Sequence, residues 1–401
     1  IRDRDYKAQK AVNDAIINNL RNYGLTKDNT QAAVFSFSPI DGKIIAYAGG
    51  KDYTKSQYDR VTQAVRPPGS SFKPFVYAAA MEKGISPNDM IEDRPVTLGT
   101  WSPHNYGNKY RGKIPVYTAL MVSSNVCAAR MIQEVGVRAV IQTARVLGIE
   151  TPLEYDYTIA LGSNGVKLFE FTRAYGAFAN GGFVVQPYSV ERVETSRGKV
   201  VYKAPKTKIS HQLSMNTAAE MTAMLKTVMS NGTGRAASIG KPAAGKTGTT
   251  DDNKDAYFVG YTPNIVTGVW VGNDDNTVMS KIVQGGTVPA LIWRDVMKVA
   301  TEPYGKAEFN YPEVQLIPFA AGSNVKIIGG DDNAEKPKEE EEKPVNLDDV
   351  TAVTPADVVK NANKKNAEQP VSAPVAPKPA APAKPAAAPI PIPMAVPESL
   401  H

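Results

Sequence analysis

The chain holds one cysteine, three histidines and three tryptophans in 401 residues. A single thiol, Cys127, excludes a disulfide framework and a multi-thiolate metal site. Set between Asn125-Val126 and Ala128-Ala129, it reads as a small buried apolar group. The histidines are His104, His211 and His401, and none stands beside a Gly-x-Ser-x-Gly elbow, so a Ser-His-Asp triad is poorly supported. His104, in Ser-Pro-His-Asn, reads as a loop residue, and no His/Asp/Glu cluster has metal-ligand spacing. No apolar run approaches the ~20 residues that span a bilayer. A basic helix, a zinc pattern and an aromatic-basic platform are all missing, which argues against nucleic acid.

Length and a hydrophobic content of 42% suffice for one large or two medium domains. The formal charge of +6 is unevenly spread: residues 331–401 carry 12 acids and 8 bases, a net of −4, leaving +10 before them. A basic body suits anionic polymers or a lipid surface, and serves solubility equally well. Ala8, Ala11, Val12, Ala15, Ile16 and Leu20 recur at helical spacing before Gly24. Residues 31–50 read as a hairpin around Pro39-Ile40-Asp41-Gly42, and 114–180 as largely helical. A strand pair is expected within 183–210, turning at Ser196-Arg197-Gly198, and a helix over about 214–230. Three antiparallel strands follow, separated by Asp251–Asp255 and by Thr262-Pro263-Asn264. From residue 331 an acidic run and then a Pro/Ala-rich stretch cannot bury a core, so this tail is expected to be disordered. An inert spacer suits it better than a binding arm. The organisation expected is a linker and helix over 1–30, a main domain over 31–305, a short β segment over 306–330 and the tail over 331–401.

Three motifs carry the chemistry: Ser70-Ser71-Phe72-Lys73, Ser123-Ser124-Asn125 and Lys246-Thr247-Gly248. Ser-x-x-Lys recurs at Ser196/Lys199, Ser238/Lys241 and Ser323/Lys326, and Ser-x-Asn at Ser86/Asn88 and Ser214/Asn216; Lys-Thr-Gly is unique. Context separates the copies. Ser70 follows the turn signal Arg66-Pro67-Pro68-Gly69 and precedes a buried helical run in which Pro74 falls in the first turn. The spacing therefore sets Ser70 at a helix N-terminus, with Lys73 on the same face and within reach of its hydroxyl. A serine needs a base, and a lysine serves when burial or a neighbouring cation lowers its pKa. Lys246 is the expected neighbour. Gly248, in a strand, is expected to admit a peptide along the strand edge.

This ordered trio, with its flanks, resembles the transpeptidase domain of class A penicillin-binding proteins. The flanks are Arg66–Phe75, Asn105–Gly112, Ala160–Val166, Ala174–Gly182 and Val288–Trp293. The resemblance covers roughly residues 30 to 300, with small departures at Pro68 and Leu291. It implies an α+β fold of the penicillin-binding protein and serine β-lactamase type, an antiparallel sheet flanked by helices plus a helical subdomain. It implies that Ser70 is acylated, Lys73 is its base and Ser123 relays a proton to the leaving group. Asn125 would bind the donor's amide, and Lys246, Thr247, Gly248 and Thr249 the carboxylate end. The backbone N–H groups of Ser70 and Thr249 would form the oxyanion hole. No cofactor and no metal are implied. The partners implied are peptidoglycan stem peptides, with a D-Ala-D-Ala donor and an amine acceptor, and β-lactams, at the extracytoplasmic face of a bacterial membrane or in the wall. Relatives also carry a membrane helix and a glycosyltransferase domain upstream. The chain opens at Ile1 without either and without a signal peptide, so a fragment without polymerase activity is expected.

Three rivals share these motifs. A class A β-lactamase needs a deacylating glutamate in Glu-x-x-x-Asn, yet none of Glu134, Glu150, Glu154, Glu170, Glu191, Glu194 or Glu220 is followed four residues on by Asn. A D,D-carboxypeptidase differs only in taking water as acceptor. A β-lactam sensor or wall-binding scaffold of the same fold is the third.

Overall fold

A computed structural model describes residues 3–26, 29–204, 209–318 and 326–329. The expected tail over 331–401 and Ser323 of the third Ser-x-x-Lys copy lie outside them. Helix α1 (Asp3–Asn22) leads into β1 (Thr30–Phe37) and β2 (Ile44–Ala48). Helix α2 (Lys73–Glu82) follows, then β3 (Met90–Asp93) and β4 (Gly112–Pro115). Four helices come next: α3 (Val116–Met121), α4 (Asn125–Val135), α5 (Val137–Val146) and α6 (Leu168–Ala179). After α7 (Met215–Ser230) come β5 (Ala244–Thr249), β6 (Asp255–Tyr261), β7 (Val266–Asn273), α8 (Val288–Ala300) and β8 (Ile327–Ile328).

The main sheet runs β5-β6-β7-β1-β2, antiparallel throughout. Its strands are apolar on both faces, so helices must cover both. Phe35, Phe37, Tyr257, Val259 and Trp270 point into one core with α2, α4, α5, α6 and α7. Ala32, Val34, Phe258, Val269 and Val271 point into a second core with α1 and α8. Gly268 lets α6 close on the sheet, since a Cβ there would lie 2.0 Å from Thr172 Oγ1. The fold is therefore a mixed helix and antiparallel-sheet architecture, and β5 is an open edge among the described strands.

The expected strand pair within 183–210 is two pairs. Arg192–Glu194 pairs with Val200–Lys203 across the Ser196–Gly198 turn, and Phe183–Val185 pairs with Ile209–His211. Within the β segment expected over 306–330, the described residues include β8, which adds a parallel strand to β3. Side-chain hydrogen bonds tie described residues ahead of it to the body of the domain. Asn88 Nδ2 donates to Gln315 O at 2.9 Å, Ile317 N donates to Asn88 Oδ1 at 2.9 Å, and Tyr311 OH donates to Phe178 O at 2.6 Å.

Candidate active site

Ser70 lies in a 3-10 turn over Gly69–Phe72 that runs straight into α2. The turn is set by backbones in contact. Gly69 has φ +55°, and a Cβ on it would sit 2.6 Å from Thr249 O; on Gly162, φ +73°, a Cβ would sit 2.2 Å from Gly69 O. Only glycine fits at both places. Tyr175 OH donates to Ser71 O at 2.5 Å, Ser71 Oγ to Pro68 O at 2.6 Å and Tyr257 OH to Arg66 O at 3.2 Å. Beneath, Phe72 and Phe75 pack with Phe171, Tyr175 and Phe178. Ser70 itself is half-buried.

The second motif caps α4. Ser124 is the N-cap, its Oγ accepting from Cys127 N at 3.1 Å. Ser123 just before it has a left-handed backbone, φ +60°, which costs a non-glycine residue about 1–3 kcal/mol. That twist turns Ser123 Oγ toward two amines: Lys246 Nζ donates to it at 2.8 Å and Lys73 Nζ at 3.3 Å. Lys73 Nζ donates also to Ser123 O and to Asn125 Oδ1, both at 2.7 Å. Asn125 Nδ2 donates to His104 O at 2.7 Å.

The third motif is the edge strand β5. Lys246 is fully buried and Thr247 Oγ1 shares a 2.7 Å hydrogen bond with Thr233 Oγ1. Thr249 Oγ1 accepts from Gly285 N at 3.0 Å, so its proton stays available to a ligand. Gly248 has a reason the sequence did not disclose. A Cβ there would lie 2.2 Å from Pro68 O and 2.6 Å from Ser71 Oγ, so it admits the Ser70 turn itself.

All three motifs thus converge, and of the Ser-x-x-Lys copies it is Ser70/Lys73 that joins the others. One expected contact differs. Among the described residues Lys73 Nζ is hydrogen-bonded to the Ser123 loop and not to Ser70 Oγ. Hydrogen bonds between catalytic groups are often long without substrate and tighten only in the complex.

Burial pulls the Lys73 pKa down to about 7 against the attraction of Asp251 and Asp93. Desolvation is the main cause at both amines, and repulsion from Lys73 adds to it at Lys246, whose pKa falls well below the ordinary value. Two amines sharing one hydroxyl favour a single proton between them. Such a centre can deprotonate a serine, relay a proton and meet an anion.

The sequence reading gave no role to Gly162, Thr233, Tyr175 or Gly285; Gly162 and Tyr175 stood in stretches already singled out, Thr233 and Gly285 in none. A cleft of about 680 Å³ adjoins the site, lined by Arg66, Pro67, Thr250, Asp252, Lys254 and Asp255 among others. It contains none of Ser70, Lys73 or Ser123 and continues from the end of β5.

The family described as penicillin binding protein transpeptidase domain matches residues 32–298. Penicillin-binding protein 1A of Rickettsia conorii is 33% identical over 328 residues, covering 75% of this chain and 40% of that protein. Its namesake from Pseudomonas aeruginosa is 34% identical over 321 residues, covering 66% and 39%. The chain thus spans about two-fifths of these relatives' length. The crystal structure of penicillin-binding protein 1A from Haemophilus influenzae is similar with a TM-score of 0.66 at 29% identity, covering 72% of this chain and 49% of that one. PonA1 from Mycobacterium tuberculosis, in complex with penicillin V, gives 0.68 at 26% identity, covering 78% and 87%.

Proposed function

The chain belongs to the penicillin-binding protein transpeptidase family, and from that premise we propose that its site performs D,D-transpeptidation on peptidoglycan through an acyl-Ser70 intermediate. The donor is the D-Ala-D-Ala end of a stem peptide lying along the open edge of β5. Ser70 Oγ attacks the penultimate carbonyl carbon while its proton passes to the neutral Lys73 amine. The backbone N–H groups of Ser70 and Thr249 meet the oxyanion, each such donor being worth about 10²–10³ in rate. As the intermediate collapses, the C–N bond breaks and Ser123 hands a proton to the leaving D-Ala nitrogen, regaining one from the lysine pair. An amine of a second stem then attacks the ester, releasing Ser70 with its proton. Lys246, Thr247 and Thr249 receive the terminal carboxylate, whose charge favours the ammonium form of Lys246 against its burial. Asn125 takes the donor's amide by exchanging one of its present bonds. A β-lactam would open its ring on Ser70 and stay attached. These substrates belong to the extracytoplasmic face of the membrane and the wall.

The observation that carries this reading is the single hydroxyl, Ser123 Oγ, shared between the amines of Lys73 and Lys246. Retention of the acyl group is favoured because no glutamate between the second and third motifs stands in Glu-x-x-x-Asn, and Glu170 Oε2 already accepts from Glu150 N, Thr151 N and Thr151 Oγ1. Intact-mass spectrometry with benzylpenicillin tests the reading. A one-drug adduct stable for hours on the wild type and absent from Ser70→Ala is expected. Rapid return to the unmodified mass with drug consumed would mean a β-lactamase, and no adduct on folded protein would mean a binding module.

A further inference from the structure

Ser123 is held in an unfavourable backbone state, and such states persist only where the surroundings over-determine them. On its N-terminal side the hold is ordinary: Ser123 N donates to Leu120 O and Ser124 N to Ala119 O as α3 ends. On the C-terminal side it comes from elsewhere. Asn105 Oδ1 accepts from Asn125 N at 2.8 Å and from Val126 N at 3.2 Å, meeting two of the amides that open α4. Asn105 can present its oxygen only if its nitrogen is anchored, and Nδ2 donates to Asp93 Oδ1 at 2.6 Å and to Lys109 O at 2.9 Å. Asp93 Oδ1 also accepts from Ser124 Oγ at 2.7 Å, and Asp93 Oδ2 from Arg111 N at 3.0 Å. Asp93 is fully buried at the end of β3, and Asn105 is buried beside it.

We propose that Asp93, acting through Asn105, is a positioning residue for acyl transfer: it fixes the Ser123–Asn125 loop so that Ser123 and Asn125 meet Lys73 in one geometry. The proposal rests on the transpeptidase reading above. Asp93 touches none of the reacting groups. Its effect runs through Asn105 and Ser124 to the loop whose Ser123 O, Ser123 Oγ and Asn125 Oδ1 surround the Lys73 amine. It also gives Asn105, in a segment that sequence alone could single out without a role, a defined one. Only a carboxylate offers an acceptor to both sides, to Asn105 and Ser124 on one oxygen and to Arg111 N on the other.

The test is single-turnover acylation by benzylpenicillin across drug concentrations, read by intact mass, for wild type, Asp93→Asn, Asn105→Asp and the swap Asp93→Asn/Asn105→Asp. A displaced loop lowers the limiting acylation rate of the single variants by about 10–100-fold, with the non-covalent dissociation constant changed less than threefold. The swap restores a donor facing an acceptor and should recover at least half of the lost rate on a logarithmic scale. A purely structural role predicts otherwise: a smaller adduct-forming fraction that reacts at the wild-type rate, and that outcome overturns the proposal. If a single variant does not fold, the swap decides: folded and acylating supports the pairing, folded at the same deficit as the surviving single variant overturns it. Wild type in the same series separates the two claims. Absence of a Ser70 adduct there defeats the transpeptidase reading, whereas a normal wild-type adduct with unimpaired Asp93→Asn defeats only the positioning role.

Discussion

The nucleophile turn and the Ser123 loop face each other across one site, and they are held by opposite means. Ser70 is fixed by shape: interlocked glycine backbones at Gly69, Gly162 and Gly248, over an aromatic cluster of Phe72, Phe75, Phe171, Tyr175 and Phe178. Ser123 is fixed by polar bonds to buried amines and by a buried Asp93–Asn105 network. The contrast follows from what each must do. A nucleophile that exchanges a proton for an acyl group cannot depend on its own hydroxyl for its place, so packing holds it and the hydroxyl stays unspent. A relay must stay aligned while protons pass through it, and hydrogen bonds in a low-dielectric interior hold it there.

The strongest way to break the contrast is to remove the group that spans both halves. Lys73→Ala should lower the limiting acylation rate by about 10²–10⁴, the range of a positioned general base, while benzylpenicillin still binds non-covalently. Rapid-quench mass spectrometry checks it. A loss below tenfold would move the base to another residue and leave the two halves uncoupled.

A change in shape alone should disturb the nucleophile half only. Gly162→Ala drives a Cβ to 2.2 Å from Gly69 O at a φ of +73°. The displaced turn should slow acylation about 10–100-fold, with a lowered Tm. Gly99→Ala is the matched control. Its φ of +61° imposes the same backbone strain with nothing within 4 Å, so it should cost about 1 kcal/mol of stability and leave acylation unchanged. Equal acylation by both variants would mean that backbone contact at Gly69 does not set the nucleophile.

These halves were unequally legible in the sequence. In the Ser70 half the start of the helix reads well because its signals are local: a turn signal, a Pro in the first helical turn and a Lys three residues on; the glycine contacts that fix the turn are not local and went unread. The strand order of the sheet's β5–β7 side follows likewise from short turns. The insertion of β1 between β7 and β2 does not, because Thr30 pairs with Asn273 across the length of the domain. The Ser123 half read only as letters. Its left-handed backbone, the Asn105 bonds that cap α4 and the carboxylate behind them depend on segments that meet only in the fold. The same is true of Gly248, read as room for substrate and found to be room for Pro68. Burial, too, is a property of the folded state, so the sequence left open whether desolvation or the neighbouring Lys246 lowers the Lys73 pKa more, and desolvation is the larger cause.

The pH profile sharpens that last point. With the Lys73 pKa pulled down to about 7 by burial, the neutral amine is about half populated at that pH and falls tenfold for each unit below it. The limiting acylation rate should therefore rise about tenfold per unit up to pH 7 and flatten above it, provided the amine takes the serine proton. Stability carries the mark of the same shift in the window above. Between pH 7 and the ordinary lysine value of 10.5 the unfolded chain binds the extra proton, so stability falls as pH falls through that window and levels off below it. Lys73→Met removes the titrating group, and its stability should lose that part of the pH dependence while acylation is lost with it. A rate limb near pH 9 or 10 in the wild type would mean that Lys73 is solvated when it reacts. The relay half would then be open to water, and the division between a packed nucleophile and a buried polar relay would fail on its second side.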